Sequence, residues 1–182
     1  MGAGLLMAGF DTTASQLAVA ALMVFRDPSL AARLRARPEA IAPALEEVLR
    51  WTSLLATGGA AHVAVEDVRL GSELIPAGEV VVPLAAAANQ DCAVFPDPDR
   101  FDPERRDNPH MAFGHGRHYC LGAPLARLQL QIGLSALLEA FPTLSIAVPE
   151  HEVEWSTGQF IRGPLALPVR WDDAGERTVE RT

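Results

Sequence analysis

Residues 113–124 read Phe-Gly-His-Gly-Arg-His-Tyr-Cys-Leu-Gly-Ala-Pro, and an apolar run from Pro124 to Phe141 follows at once. No other stretch constrains the chain as tightly. The run is apolar nearly all round, which predicts a long, deeply buried helix. Cys120 therefore precedes a helix whose first-turn amides lack partners and carry partial positive charge. Such a position favours the thiolate form of a cysteine. Gly122 has no side chain, so a large group can approach the backbone there, and Gly116 lets the loop turn beneath it.

The flanking residues narrow the choice of that group. Phe113 offers a flat apolar face, and Arg117 and His118 offer donors to carboxylates at an edge. A thiolate, a flat apolar partner and peripheral carboxylates together describe haem. A zinc site built from His115, His118 and Cys120, with His110 nearby, is an alternative. Its spacing lacks a paired Cys-x-x-Cys, and it leaves both glycines unexplained.

The chain has 182 residues, 49% hydrophobic and 21% charged, enough for one domain with its own core. The net charge of −8 argues against nucleic acid as a partner, because phosphate recognition needs clustered cations. Cys92 and Cys120 are the two cysteines, too few for a disulfide framework, so a reducing, cytoplasmic setting is expected and Cys92 reads as an inert buried thiol. Met1 to Phe25 is mostly apolar, yet Asp11, Thr12, Thr13, Ser15 and Gln16 interrupt it and no basic residue precedes Arg26. That argues against a membrane span and a signal peptide, and for a buried helix with a polar interruption.

Asp27-Pro28 predicts a capped helix over Ser29 to Arg37, which Pro38 closes. A further helix is expected from about Ala42 to Trp51, with a break at Gly58-Gly59. Residues 60–83 read as strands and turns: Val63 and Val65 alternate, and Pro76-Ala77-Gly78 is a turn between Leu74-Ile75 and Val80-Val81-Val82. Leu84 to Ala88 predicts a short helix. Phe95 to Pro109, rich in Pro, Asp and Arg, reads as an ordered irregular segment, and Ser145 to Trp171 as strand-like with a tight turn at Gly163-Pro164.

Phe113, Gly116, Cys120 and Gly122 match the pattern Phe-x-x-Gly-x-x-x-Cys-x-Gly, so the loop resembles the haem-binding signature of the cytochrome P450 family. Two more motifs resemble that family in the right order. Glu47-Val48-Leu49-Arg50 resembles its Glu-x-x-Arg motif, and at i, i+3 the two charges share a helix face. The plain alternative is a surface ion pair of little energetic worth. Ala8-Gly9-Phe10-Asp11-Thr12-Thr13 resembles the oxygen-binding motif of the long distal helix, in which a threonine hydroxyl can bond back to a carbonyl one turn earlier.

The resemblance implies a mainly α fold with small β-sheets, the C-terminal half of the cytochrome P450 fold from distal helix through haem-binding loop to proximal helix. Residues 1–182 would form a partial domain whose N-terminal half is absent. The cofactor implied is haem b, iron protoporphyrin IX, with Cys120 as axial metal ligand. Phe113, Gly116 and Gly122 would line it, with His118 at a propionate. Asp11 and Thr12 would deliver protons as catalytic residues, and Glu47 and Arg50 would form a structural pair to the irregular segment through Phe101, Pro103 and Arg105 or Arg106. The activity implied is a monooxygenase taking electrons from a ferredoxin or flavin-type donor and oxidising a small hydrophobic substrate near Leu55, Ala56, Thr57 and Ile161.

The chain also departs from the family. His62 stands where bacterial members usually carry a propionate-binding arginine, which weakens that contact. Leu54 replaces a usual proline, and Gln90 a usual arginine. With half the fold missing, residues 4–25 and 124–141 would expose roughly several hundred square ångströms of apolar surface. A poorly soluble or molten chain with weak haem binding is then expected, and a truncated, non-catalytic remnant is the rival of the enzyme reading.

Overall fold

The computed structural model describes residues 2–52, 54–55 and 61–172. Three helices open the chain: α1 (Gly2–Phe25), α2 (Pro28–Ala36) and α3 (Ile41–Trp51). Asp27 starts α2 as its composition suggests, its Oδ1 accepting from the amides of Ser29 at 2.9 Å and Leu30 at 3.2 Å. The hydrogen bond from Ser29 leads in holding the Asp27 carboxyl below its ordinary range, against a smaller upward push from burial. A single 3-10 turn at Pro38–Ala40 leads into α3.

The core lies where these helices meet α5 (Ala123–Ala140). Val19, Ala20, Met23, Val24 and Phe25 of α1 pack with Leu30 and Leu34 of α2, Ile41, Leu45, Val48 and Leu49 of α3, and Leu130, Leu134 and Leu138 of α5. Each Val, Leu, Ile, Met or Phe side chain among them contributes about 1.5–3 kcal/mol when fully buried. α1 and α5 approach closely at Gly133, where an added Cβ would fall 2.9 Å from Leu17 Cδ2, the flexible end of that side chain. Arg35 of α2 donates to the carbonyls of Leu138 at 3.0 Å and Phe141 at 3.2 Å, satisfying the open C-terminus of α5.

Two helices differ from expectation. Burial of α1 is confined to its second half: Phe10 is 73% exposed, Asp11 is exposed, Gln16 is buried, and unbroken burial begins at Val19. Ala8–Phe25 is long and apolar enough to cross a membrane, with a mean hydropathy of 1.3, but its last turns form the core. In α5, Leu130, Leu134 and Leu138 form one buried face, whereas Leu125, Leu128 and Ile132 are 59%, 53% and 60% exposed. Burial on one side replaces the deep burial that its composition predicts. The exposed residues continue from Leu121 at i, i+4, i+7 and i+11, which lines them up as one stripe. This is the apolar exposure expected for that region.

Between α3 and α5 the sheets are small and mostly exposed. β1 (His62–Val63) pairs antiparallel with β4 (Val80–Val81), and β2 (Val68–Leu70) with β3 (Glu73–Ile75) inside that pair. The Pro76–Gly78 turn therefore links β3 to β4, which pair with different partners. The short helix α4 (Ala85–Ala88) follows, and 95–109 is irregular and ordered by side chains. Cys92 lies exposed in a surface turn, where Asp91 accepts from the Ala93 amide at 2.9 Å, and not in the core as a free cysteine usually would.

The tail is less strand-like than its composition suggests. β5 (Ser145–Ile146) and β6 (Val169–Arg170) pair, and single bridges join Leu55 to Ile161 and Trp155 to Pro164. The reversal falls at Gly158, with φ +71°, while Gly163 lies on the returning limb against Ser15. Ser53, Ala56, Thr57 and the break at Gly58-Gly59 lie outside the described residues.

Candidate active site

The loop that carries Cys120 is closed on itself. Gly114 and Gly116 have φ of +73° and +69°, which side chains rarely adopt, and they turn the chain into a 3-10 turn at Gly116–His118. The Cys120 amide donates back to the Phe113 carbonyl at 2.9 Å, and the Ala123 amide to the Cys120 carbonyl at 3.2 Å. Gly122 is the N-cap of α5. The thiol is thus presented, exposed, at the point where the loop enters the helix. His115, Arg117 and His118 are exposed around it.

The distal motif lies on the exposed half of α1, where the Thr12 hydroxyl donates to the Ala8 carbonyl at 2.6 Å. This is the local back-bonding that the residue order suggests. A Cβ built on Gly9 or on Gly116 would meet nothing within 4 Å, so both positions border open space. Thr12 stands about 7 Å along α1 from Leu17, and Ala123 about 15 Å along α5 from Gly133, at 1.5 Å per residue. Both motifs therefore lie on limbs that leave the α1–α5 crossing. His62 is exposed on β1 opposite Val81. Leu55 and Ile161 are brought together by their β-bridge, and the Arg162 amide donates to the Leu54 carbonyl at 2.7 Å.

Glu47 and Arg50 meet in the interior. Arg50 donates to both Glu47 carboxylate oxygens at 2.8 Å, and both side chains are 0% exposed, so the surface-pair alternative fails. Arg50 also donates to the carbonyls of Asn89 at 2.8 Å and Arg100 at 3.3 Å. Glu47 accepts from the Asp102 amide at 2.9 Å, Asn108 at 3.1 Å and Arg105 at 3.2 Å. Arg105, not Arg106, thus joins the pair and ties the irregular segment to α3.

Sequence reasoning missed a second network one residue away. Glu46 takes a two-pronged contact from Arg127, at 2.7 and 2.9 Å, and a 2.9 Å hydrogen bond from His110 Nε2. Burial pushes the Glu46 carboxyl up, but the hydrogen bonds from His110 and Arg127 and the guanidinium charge prevail and hold it at about 2. The hydrogen bond to Glu46 likewise raises Arg127. The signal was present in the adjacent carboxylates Glu46-Glu47, but nothing local names the partners of Glu46, 64 and 81 positions away.

The zinc alternative does not survive this geometry. Among the described residues no three His, Cys, Asp or Glu side chains gather as a metal site, although His110, His115, His118 and Cys120 all lie among them. His110 is committed to Glu46, and its Nδ1 accepts from the Ala112 amide at 3.2 Å.

The sequence profile described as Cytochrome P450 matches residues 39–165, from the turn before α3 through the loop and α5. The chain belongs to the cytochrome P450 family. This P450 chain is 46% identical over 168 residues to a mycinamicin IV hydroxylase/epoxidase of Micromonospora griseorubida, covering 92% of the chain and 42% of that protein. It is also 46% identical over 170 residues to a nocardicin C N-oxygenase of Nocardia uniformis, covering 93% and 43% respectively. A solved structure of a mutant of a mixed-function P450 in complex with mycinamicin IV superposes with a TM-score of 0.88 at 47% identity, over 92% of this chain and 43% of that one. The chain thus spans less than half the length of these relatives. Its fold is the mainly helical C-terminal half of the P450 fold, with small sheets, and the family implies a haem cofactor.

Proposed function

We propose that this chain supplies the haem-thiolate half of a monooxygenase, with haem b as cofactor and Cys120 as the residue that would hold its iron. The observation that carries the reading is an exposed thiol whose amide is clamped to the Phe113 carbonyl at the start of α5. The donor chemistry fits the group: a soft sulfur beside glycines that border open space, with His118, Arg117 and His62 exposed to receive peripheral carboxylates. When bound, the haem supplies dioxygen activation, which thiolate ligation promotes.

The chain's own residues do the rest. Cys120 would hold the metal through its sulfur, and Phe113, Gly116 and Gly122 would shape the backbone that receives the group. Thr12 spends its proton on the Ala8 carbonyl, which leaves its oxygen lone pairs free to accept a hydrogen bond. Asp11, exposed beside it, takes protons from solvent and passes them toward Thr12. Leu55 and Ile161 form an apolar wall suited to a small hydrophobic substrate. Electrons come from a ferredoxin or flavin-type donor, and the setting is cytoplasmic, without nucleic acid or membrane partners.

A second reading, a chain without turnover, draws on the exposed stripe of Leu121, Leu125, Leu128 and Ile132. The carbon monoxide difference spectrum of the reduced, haem-loaded chain separates the two. A thiolate-type Soret band that is lost in Cys120→Ala supports the enzyme reading. Haem uptake and absorption that are unchanged in Cys120→Ala refute it.

A further inference from the structure

Adjacent carboxylates on α3 serve different parts of the chain. Glu47 binds the irregular segment through Asp102, Arg105 and Asn108, whereas Glu46 binds His110 and Arg127, on either side of the cysteine loop. Neighbours on a helix point about 100° apart, which separates the two sets.

We propose that Glu46, His110 and Arg127 form a positioning cluster that sets the orientation of the Cys120 loop. Arg127 spans it. Nε and Nη2 grip Glu46, and Nη1 donates to the Tyr119 hydroxyl at 3.1 Å. The guanidinium lies over the Phe113 ring at 4.5 Å. Phe113 and Tyr119 are the two ends of the loop, and the Phe113 carbonyl receives the Cys120 amide. One cation therefore holds both ends of the segment that aims the sulfur.

His110 locks the entry. Its side chain is 2% exposed. Because a backbone amide can only donate, the Ala112 contact makes Nδ1 the acceptor, so Nε2 carries the proton shared with Glu46. The imidazole is thereby fixed in one tautomer and one orientation between α3 and the loop. Only Arg has the donor fork for this task, since a lysine ammonium cannot grip two carboxylate oxygens and reach the tyrosine together. These residues act through the Cys120 loop, as positioning residues.

This proposal rests on Cys120 being the haem ligand, and the test keeps the two apart. Arg127→Ala, Arg127→Lys and Glu46→Gln are compared with the unaltered chain and with Cys120→Ala. Without haem, amide hydrogen exchange at Tyr119 and Cys120 should rise about tenfold or more in Arg127→Ala, with the amides of Val19–Phe25 unchanged. With haem, affinity should fall about 10- to 100-fold, as outer-shell losses typically cause. The thiolate-type share of the reduced carbon monoxide spectrum should fall in Arg127→Ala and Glu46→Gln, and Arg127→Lys should not restore it. Unchanged loop exchange, or exchange raised equally in the core, overturns the proposal. So does a thiolate band that persists in full in Arg127→Ala while Cys120→Ala abolishes it. A Cys120→Ala chain that binds haem normally overturns the ligand assignment, while the exchange data still decide what holds the loop.

Discussion

Removing one member of the buried Glu47–Arg50 pair leaves charge in a place with no water to receive it. Arg50→Met removes two contacts to Glu47 and one each to the Asn89 and Arg100 carbonyls, and empties space between the Trp51 and Phe95 rings, 5.4 and 5.3 Å away. Glu47 then keeps Arg105, whose side chain is 9% exposed, so its charge retains one partner. Glu47→Leu is harsher, because Arg50 keeps only carbonyls and the Asp102 amide and Asn108 lose their acceptor. Breaking a buried pair costs about 3–5 kcal/mol. Arg50→Met is expected near the lower value and Glu47→Leu near the upper. At roughly 2–4 °C per kcal/mol for a chain of this size, the midpoint falls by about 6–20 °C. The double variant removes both charges of the pair and leaves only Arg105 without its carboxylate, so its cost should undershoot the sum of the singles by about 2 kcal/mol. Urea unfolding followed by tryptophan fluorescence reads these values, with Trp51 packed against Arg50 as the local reporter. Single costs under about 1 kcal/mol, the value of an exposed pair, would refute the reasoning, as would strict additivity.

Glu46 adds a pH signature. Its folded-state value of about 2 lies below the ordinary 4.5, so its stabilisation is complete above about 4.5 and is lost as the pH falls toward 2. With the side chain 28% exposed, screening trims this to roughly 1–2 kcal/mol. Glu46→Gln should therefore destabilise the chain at neutral pH and converge with the unaltered chain on acidification, and a gap that is constant with pH in thermal melts would contradict this. Two glycines should respond differently to alanine. At Gly163 the new Cβ meets the rigid Ser15 Cβ at 2.9 Å, for a cost of about 1–3 kcal/mol. At Gly133 it meets the mobile end of Leu17, and the helix preference of alanine, about 1 kcal/mol, offsets the crowding. Equal losses at the two sites in melting experiments would show that the stiffness of the neighbour does not decide the outcome.

The helices and the cysteine loop were legible because their signals are local. Asp27-Pro28 caps α2, the glycines of the loop adopt the conformations that only they tolerate, and Thr12 bonds to Ala8 within one turn. Three-residue spacing was enough to pair Glu47 with Arg50, but not to place the pair in the interior, since burial depends on Asn89, Arg100 and Arg105 far along the chain. The Glu46 cluster escaped for the same reason. The deep burial expected of α5 failed because composition reports how apolar a helix is, not which of its faces has a neighbour. Ser145 to Trp171 misled because a strand-like stretch can be met by short bridges in place of continuous strands.

Glu46 and Glu47 make one turn of α3 a shared mounting for two otherwise separate pieces of chain. Inserting a single residue upstream in that helix would swing Glu46 round to the clients of Glu47 and carry Glu47 past them, and a deletion would do the reverse. The helix is thus bound to its length more strictly than to most of its side chains, and the irregular segment and the cysteine loop are kept in step by a register of one residue.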